Sequence, residues 1–142
     1  MISRAEILDR QETAGGAFPL LTLAEFFDEN ADEESLAPNQ WGEGRPALAE
    51  IARRLDLLAA DPAVAWVRVQ LHEETFDDAA DWVAAEAVAL CTSLDADEVA
   101  DRLGVDDLQS DGVIDGLVYD EDAFAGIPPV PAGHRVLSLV WD

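Results

Sequence analysis

Lysine is absent from this 142-residue chain, and all eight basic residues are arginines. Set against 31 acidic residues, they leave a formal net charge of −23. Such a deficit of positive charge repels phosphate, so direct nucleic-acid binding is not expected, since that needs basic stripes. An anionic membrane surface is disfavoured for the same reason. With one cysteine, Cys91, no internal disulfide can form, and its place in the apolar run Ala87-Val88-Ala89-Leu90-Cys91 reads as a small buried hydrophobe. No charged amino-terminal segment leads into an apolar stretch, and no run approaches the length needed to cross a bilayer. A cytoplasmic location is the expectation.

Hydrophobic residues nevertheless make up 49% of the chain, with four Trp and five Phe. A chain of this size and apolar content supports one domain over residues 1–142 with a core of its own. The missing lysines, with abundant Ala, Asp, Val and Leu, fit a genome rich in G and C such as that of an actinobacterium. A halophilic host is the other source of an acidic surface. A basic protein is the natural electrostatic complement of such a charge, because opposite fields steer encounter and reject wrong partners. The plain alternative is that the acid only provides solubility.

Periodicity sets out the elements. Ser3 to Glu12 suits a short helix stopped by Ala14-Gly15-Gly16, and Ala17 to Leu21 a short strand. Thr22 and Glu25 form a capping-box pair ahead of a helix holding Leu23, Phe26 and Phe27. Asp28 to Arg45 is acidic, marked by Gly and Pro, and reads as the longest irregular stretch. Pro46 opens a helix in which Leu48, Ile51, Leu55 and Leu58 make one apolar stripe, ended by Asp61-Pro62. Val64 to His72 alternates as a strand, with Val67, Val69 and Leu71 on one face and Trp66, Arg68, Gln70 and His72 on the other. A strand is expected for Val88 to Thr92, a helix for Asp95 to Leu103 with Gly104 as its stop, and a strand from His134 to Trp141. No element is expected between Val105 and Pro131. The resulting order of strand, helix, strand, strand, helix, strand predicts an α+β fold. Its expected form is a mainly antiparallel four-stranded sheet with two helices on one face, in the manner of a ferredoxin-like split βαβ unit.

No strong catalytic signature is present. Gly42-Glu43-Gly44-Arg45-Pro46 lacks phosphate-loop spacing and its lysine. His72-Glu73-Glu74 begins like a zinc-binding helix, but Phe76 stands where the second histidine belongs. Asp107 to Asp115 offers oxygens at the first, third and fifth positions of a calcium loop, through Asp107, Gln109 and Asp111, with Gly112 sixth and Asp115 ninth. Val118 occupies the twelfth position, where a bidentate carboxylate is required, so an acidic turn is the better reading and no cofactor is expected. Adjacent acids such as Asp77/Asp78, Asp106/Asp107 and Glu33/Glu34 carry little information in so acidic a chain. Ser138 and His134 lie in no nucleophile elbow. Trp41, Trp66, Trp82 and Trp141 are either exposed anchors on a sheet face or packed beneath helices.

Phe18-Pro19, Leu23-Ala24-Glu25-Phe26-Phe27-Asp28-Glu29-Asn30, Gly133-His134-Arg135-Val136 and Trp141-Asp142 together resemble a family of uncharacterised actinobacterial proteins. The shared motifs are aromatic and structural, so the resemblance implies no activity. In size, acidity and lack of catalytic motifs, the chain also resembles immunity partners of bacterial toxins. The function expected is therefore a non-catalytic protein-binding module that masks a basic partner. Its contacts are expected at Asp28, Glu29, Asp32, Glu33, Glu34, Trp41, Glu43, Glu73, Glu74, Asp77 and Asp78, with Asp106 to Asp122 as a further acidic stretch. The alternatives are a structural or regulatory subunit acting through self-association, and a carboxylate-based or metal-dependent hydrolase.

Overall fold

A computed structural model of the chain describes residues 1–37 and 46–141. Helix α1 (Arg4–Thr13) starts where the Ser3 hydroxyl accepts from the Glu6 amide. Strand β1 (Phe18–Leu21) leads into α2 (Leu23–Phe27). The expected capping box is present there in full: Glu25 N–H donates to Thr22 Oγ1, and Thr22 N–H to Glu25 Oε1, satisfying two backbone donors at once. Arg10 of α1 donates to the same Glu25 at 2.5 Å.

That bond holds the Glu25 carboxyl below the ordinary glutamate range, with the Thr22 amide adding to the effect. A carboxyl depressed in the folded state stabilises above its unfolded pKa, about 4.3, and loses that contribution as pH falls through its folded value. Glu25→Gln, which keeps the capping geometry, is expected to lower stability by about 1 kcal/mol at pH 7. Thermal melts of the two proteins should converge as pH is lowered below about 4.

Helix α3 (Leu48–Ala59) buries the stripe read from the sequence, Leu48, Ile51, Leu55 and Leu58, each contributing about 1.5–3 kcal/mol of transfer free energy. Strands β2 (Val64–Leu71) and β3 (Ala85–Thr92) pair antiparallel, followed by α4 (Ala96–Leu103), which Asp95 caps through the Glu98 amide. Gly104 ends α4 at a φ of +71°. A Cβ there would also collide with the Arg54 guanidinium, which donates to the Leu103 carbonyl at 2.9 Å and locks α3 to α4. Strands β4 (Gly112–Asp115), β5 (Phe124–Ala125) and β6 (Arg135–Val140) complete the order.

The sheet corrects the expected architecture. It has six strands in the order β4-β6-β3-β2-β1-β5, and β5 runs parallel to β1, so it is mixed and not a four-stranded antiparallel sheet. The four anticipated strands lie side by side in chain order, β1-β2-β3-β6, whereas a split βαβ topology would interleave them. The two added edge strands both come from the stretch that offered no period to read. Among the described residues four α-helices, not two, contribute to the core on one sheet face: Ile7, Phe26, Ile51 and Val99 pack with Val67, Val69, Val88, Leu90, Leu137 and Leu139. The register places these strand residues together, with Val67 opposite Leu90 and Leu90 opposite Leu137.

The second face is covered by residues on either side of β5, Gly116 to Val118 and Ile127 to Pro129. Here β3 presents Ala87, Ala89 and Cys91, whose small side chains let the overlying segment approach. Trp66 packs with Ala89, Cys91, Leu117, Ile127 and Val136. Trp66 Nε1 donates to the Pro129 carbonyl, and Trp141 Nε1 to that of Leu108. Both indoles are buried, so the exposed-anchor reading fails for them. Burial also pushes the Cys91 thiol up, against a nucleophilic role.

Candidate partner-binding surface

The acidic residues singled out from the sequence fall on two segments that are distant along the chain. Asp28 and Glu29 follow α2, and Asp32, Glu33 and Glu34 precede a short contact with the sheet; all five are exposed. Glu73 and Glu74 lie in a 3₁₀ turn (Glu73–Phe76) after β2, followed by Asp77 and Asp78, and these four are exposed as well. Trp41 and Glu43 lie outside the described residues.

Backbone bonds bring the two segments to one end of the sheet. Ala85 N–H donates to the Ser35 carbonyl, and Ala37 N–H donates to that of Ala85. The neighbouring Ala84 exchanges two 3.0 Å bonds with the Thr75 hydroxyl. Ser35, Thr75 and Ala84 are fully buried, so each acidic segment is anchored from beneath by a satisfied polar residue while its acidic side chains stay exposed. The chain start bridges the same two segments. The Met1 amino group donates to the Asp28 carbonyl, and Arg4 donates to the carbonyls of Thr75 and Asp77. Met1 and Arg4, three residues apart along the chain, thereby tether both acidic segments.

At this end Arg4 and the Met1 ammonium meet backbone carbonyls and not side-chain carboxylates, and the other described arginines are engaged elsewhere. Arg10 pairs with Glu6 and Glu25, Arg53 and Arg54 with Glu50, Arg54 also with Asp107, and Arg102 with Asp61. Arg53, then Arg54, hold the Glu50 carboxyl down to about 2. Arg68 and Arg135 donate to the Val67 and Leu94 carbonyls. Among the described residues, no arginine side chain pairs with the carboxylates of Asp28, Glu29, Asp32 to Glu34, Glu73, Glu74, Asp77 or Asp78.

One cluster at this end escaped the sequence reading. β2 and β3 slip register between Gln70/Ala87 and Leu71/Ala85, leaving Glu86 unopposed in a bulge that re-aims its side chain. His72 Nε2 lies 3.7 Å from Glu86 Oε2. Burial, then the Glu86 carboxylate beside it, pushes the Tyr119 phenol upward, while its oxygen accepts from the Glu73 amide. Glu86 Oε1 is buried with no hydrogen-bond partner among the described residues. No period in the sequence signals a bulge, which explains the omission. Tyr119 also stacks with Phe124 and meets Phe18 edge-on, so the cluster serves first to fasten the overlying segment to the sheet.

The calcium-loop residues do not converge. Asp107 is beside Arg54 on the helical side. Asp111 N–H donates to Val140 at one end of β6, whereas Asp115 sits opposite Leu137. Four residues of strand separate Asp111 from Asp115 by about 13 Å, too far to share an ion whose ligands stand about 2.3–2.6 Å from it. Among the described residues, no group of three or more His, Cys, Asp or Glu side chains is placed to hold a metal. Ser138 Oγ is committed to the Gly116 carbonyl and Gln70, and His134 lies before β6 with its Nδ1 3.2 Å from the Ala132 carbonyl, so these two do not pair as nucleophile and base. No helix among the described residues is long and apolar enough to cross a membrane.

No curated protein and no solved structure matches the chain. A family model, however, matches residues 2–139, and the chain belongs to the uncharacterized protein YfbO family.

Proposed function

We propose that this protein is a non-catalytic binding module whose acidic end captures a basic protein, in the manner of an immunity protein that masks a toxin. The observation that carries the reading is the meeting of Asp28 to Glu34 with Glu73 to Asp78 at one end of the sheet, with no arginine among the described residues set against their carboxylates. Masking needs a complementary field and a rigid platform, and no reacting group. The buried anchors Ser35, Thr75 and Ala84 supply that rigidity. A hydrolase would instead require converging carboxylates in a cleft with a shifted proton affinity.

Self-association is the second reading. Ile114 is 43% exposed on β4, which lies at one edge of the sheet, and an edge can pair with another chain. The shortness of β4 and the flanking Asp111 and Asp115 weigh against it, as does like-charge repulsion between copies at low salt.

The test is a pull-down from native lysate at low salt, followed by reconstitution of the eluted species with the purified protein. One basic protein, released as salt rises and bound with a defined stoichiometry, is the expected result. Neutralising Glu73, Glu74, Asp77 and Asp78 to their amides should weaken the purified complex and flatten its salt dependence. No partner, together with self-association that strengthens in salt and is lost in Ile114→Ser, would replace this reading with the structural-subunit one.

A further inference from the structure

Beside Asp28 and Glu29 an apolar groove of about 600 Å³ runs between α2 and α3. Leu23, Ala24 and Phe27 form one wall, and Ala49, Ala52, Leu57 and Ala60 the other. Leu57 is 63% exposed, the most exposed large hydrophobic residue described. Its place in the sequence accounts for this. The buried stripe of α3 is already complete with Leu48, Ile51, Leu55 and Leu58, so Leu57 is an extra apolar residue that turns away from the core.

The wall residues Ala49 and Ala52 of α3 and Ala60, which caps its end, recur along one side over about 16 Å. That length accommodates three turns of a docked helix lying along α3, with the five-residue α2 flanking about one turn of it, and the alanines of the α3 wall let its backbone approach closely. At the rim stand Asp28, Glu29 and Asp56, none paired with a basic side chain among the described residues. Arg53 also lines the groove, but its charge is matched by Glu50 at 2.7 Å. An apolar floor with an acidic rim is complementary to a helix that carries apolar anchors on one face and Lys or Arg on its flanks. The same floor would reject an acidic helix of equal hydrophobicity, because its carboxylates would meet the rim.

We infer that this groove docks a basic amphipathic α-helix of about three turns belonging to the partner protein. The inference deepens the masking proposal and rests on it: the acidic end steers the partner, and the groove holds one defined element of it. Leu57 is the anchor contact, and Ala52 the position where the two helices come closest.

An amphipathic helical Leu/Lys peptide of about five turns, fluorescently labelled, is the probe, with a scrambled peptide of the same composition as its control. Anisotropy titrations are made on the full chain at low and at physiological salt. The amphipathic peptide is expected to bind more tightly than the scrambled one. Ala52→Trp, which fills the groove, should weaken it about tenfold or more while leaving the scrambled peptide unaffected. Leu57→Ser, at a site too exposed to unsettle the fold, should weaken it severalfold and guards against a misfolded Ala52→Trp. The amides Asp77→Asn and Asp78→Asn should lower both peptides equally. If both peptides bind alike and neither groove variant matters, the groove inference is overturned while capture by the acidic end survives. If no basic peptide binds at low salt, the masking proposal falls with it. If sedimentation shows a dimer that Leu57→Ser dissolves, the groove belongs to a second copy of this chain and the inference is likewise overturned.

Discussion

Trp141→Ala is expected to destabilise the fold by about 3–5 kcal/mol, the range for removing a large aromatic from a core. Trp141 is only 2% exposed although it stands next to the end of the chain. It packs in the helix-face cluster with Leu108, Leu137 and Leu139, and its indole N–H donates to the buried Leu108 carbonyl at 3.0 Å. Truncation therefore opens a cavity and also removes the donor from a carbonyl that water cannot reach. Trp141→Phe separates the two losses. It retains most of the apolar volume and should cost about 1–2 kcal/mol through the lost hydrogen bond. Chemical denaturation of the three proteins reads the result directly. A loss under about 1 kcal/mol for Trp141→Ala would mean that the end of β6 is not docked as described.

Gln70→Glu is expected to cost about 3–5 kcal/mol at neutral pH, the penalty for an uncompensated charge inside a protein. Gln70 is fully buried on the second sheet face. Its amide N–H donates to Ser138 Oγ at 2.8 Å, its carbonyl accepts from the Val118 amide at 2.9 Å, and Ser138 Oγ donates onward to the Gly116 carbonyl. This short chain of bonds stitches the segment after β4 across β2 and β6. A glutamate accepts from Val118 but has no proton for Ser138. The serine hydroxyl must then choose between the carboxylate and Gly116.

The introduced carboxyl would be raised above its ordinary range in the folded state, because burial disfavours its charge. The cost is then fully present above the raised value, shrinks by about 1.4 kcal/mol per pH unit below it, and vanishes under the unfolded value near about 4.3. Denaturation midpoints of Gln70→Glu should accordingly approach those of the parent on acidification. Hydrogen exchange at residues 116–119 should be accelerated at neutral pH and less so in mild acid. A pH-independent difference would show that residue 70 reaches water.

Much of the secondary structure was written locally. Thr22 and Glu25, the Leu48-Ile51-Leu55-Leu58 stripe, the alternation of Val67, Val69 and Leu71, and the Asp95 cap each lie within a few turns of helix or a few strand positions. Such signals are legible because the interactions that enforce them are short-ranged. The β4 and β5 strands were not legible for a matching reason. Gly112 to Asp115 and Phe124-Ala125 carry no alternation of their own, and they become strands only because β6 and β1 offer them unpaired backbone groups. Strand order depends in the same way on long-range pairing, so a plausible list of elements led to an interleaved topology that the sheet does not have.

The prospective binding surface divides along the same line. Composition alone determined that the chain carries a large uncompensated negative charge, and hydropathy that it folds around a core in spite of it. Neither could say that Asp28 to Glu34 would meet Glu73 to Asp78, because a helix and a full strand separate the two segments along the chain. Closing a loop of that length costs conformational entropy that only specific long-range contacts can offset. Those contacts are the hydrogen bonds of Ser35 and Ala37 with Ala85, which join residues far apart in sequence, and beside them the bonds of Thr75 with Ala84, and they leave no local pattern to read.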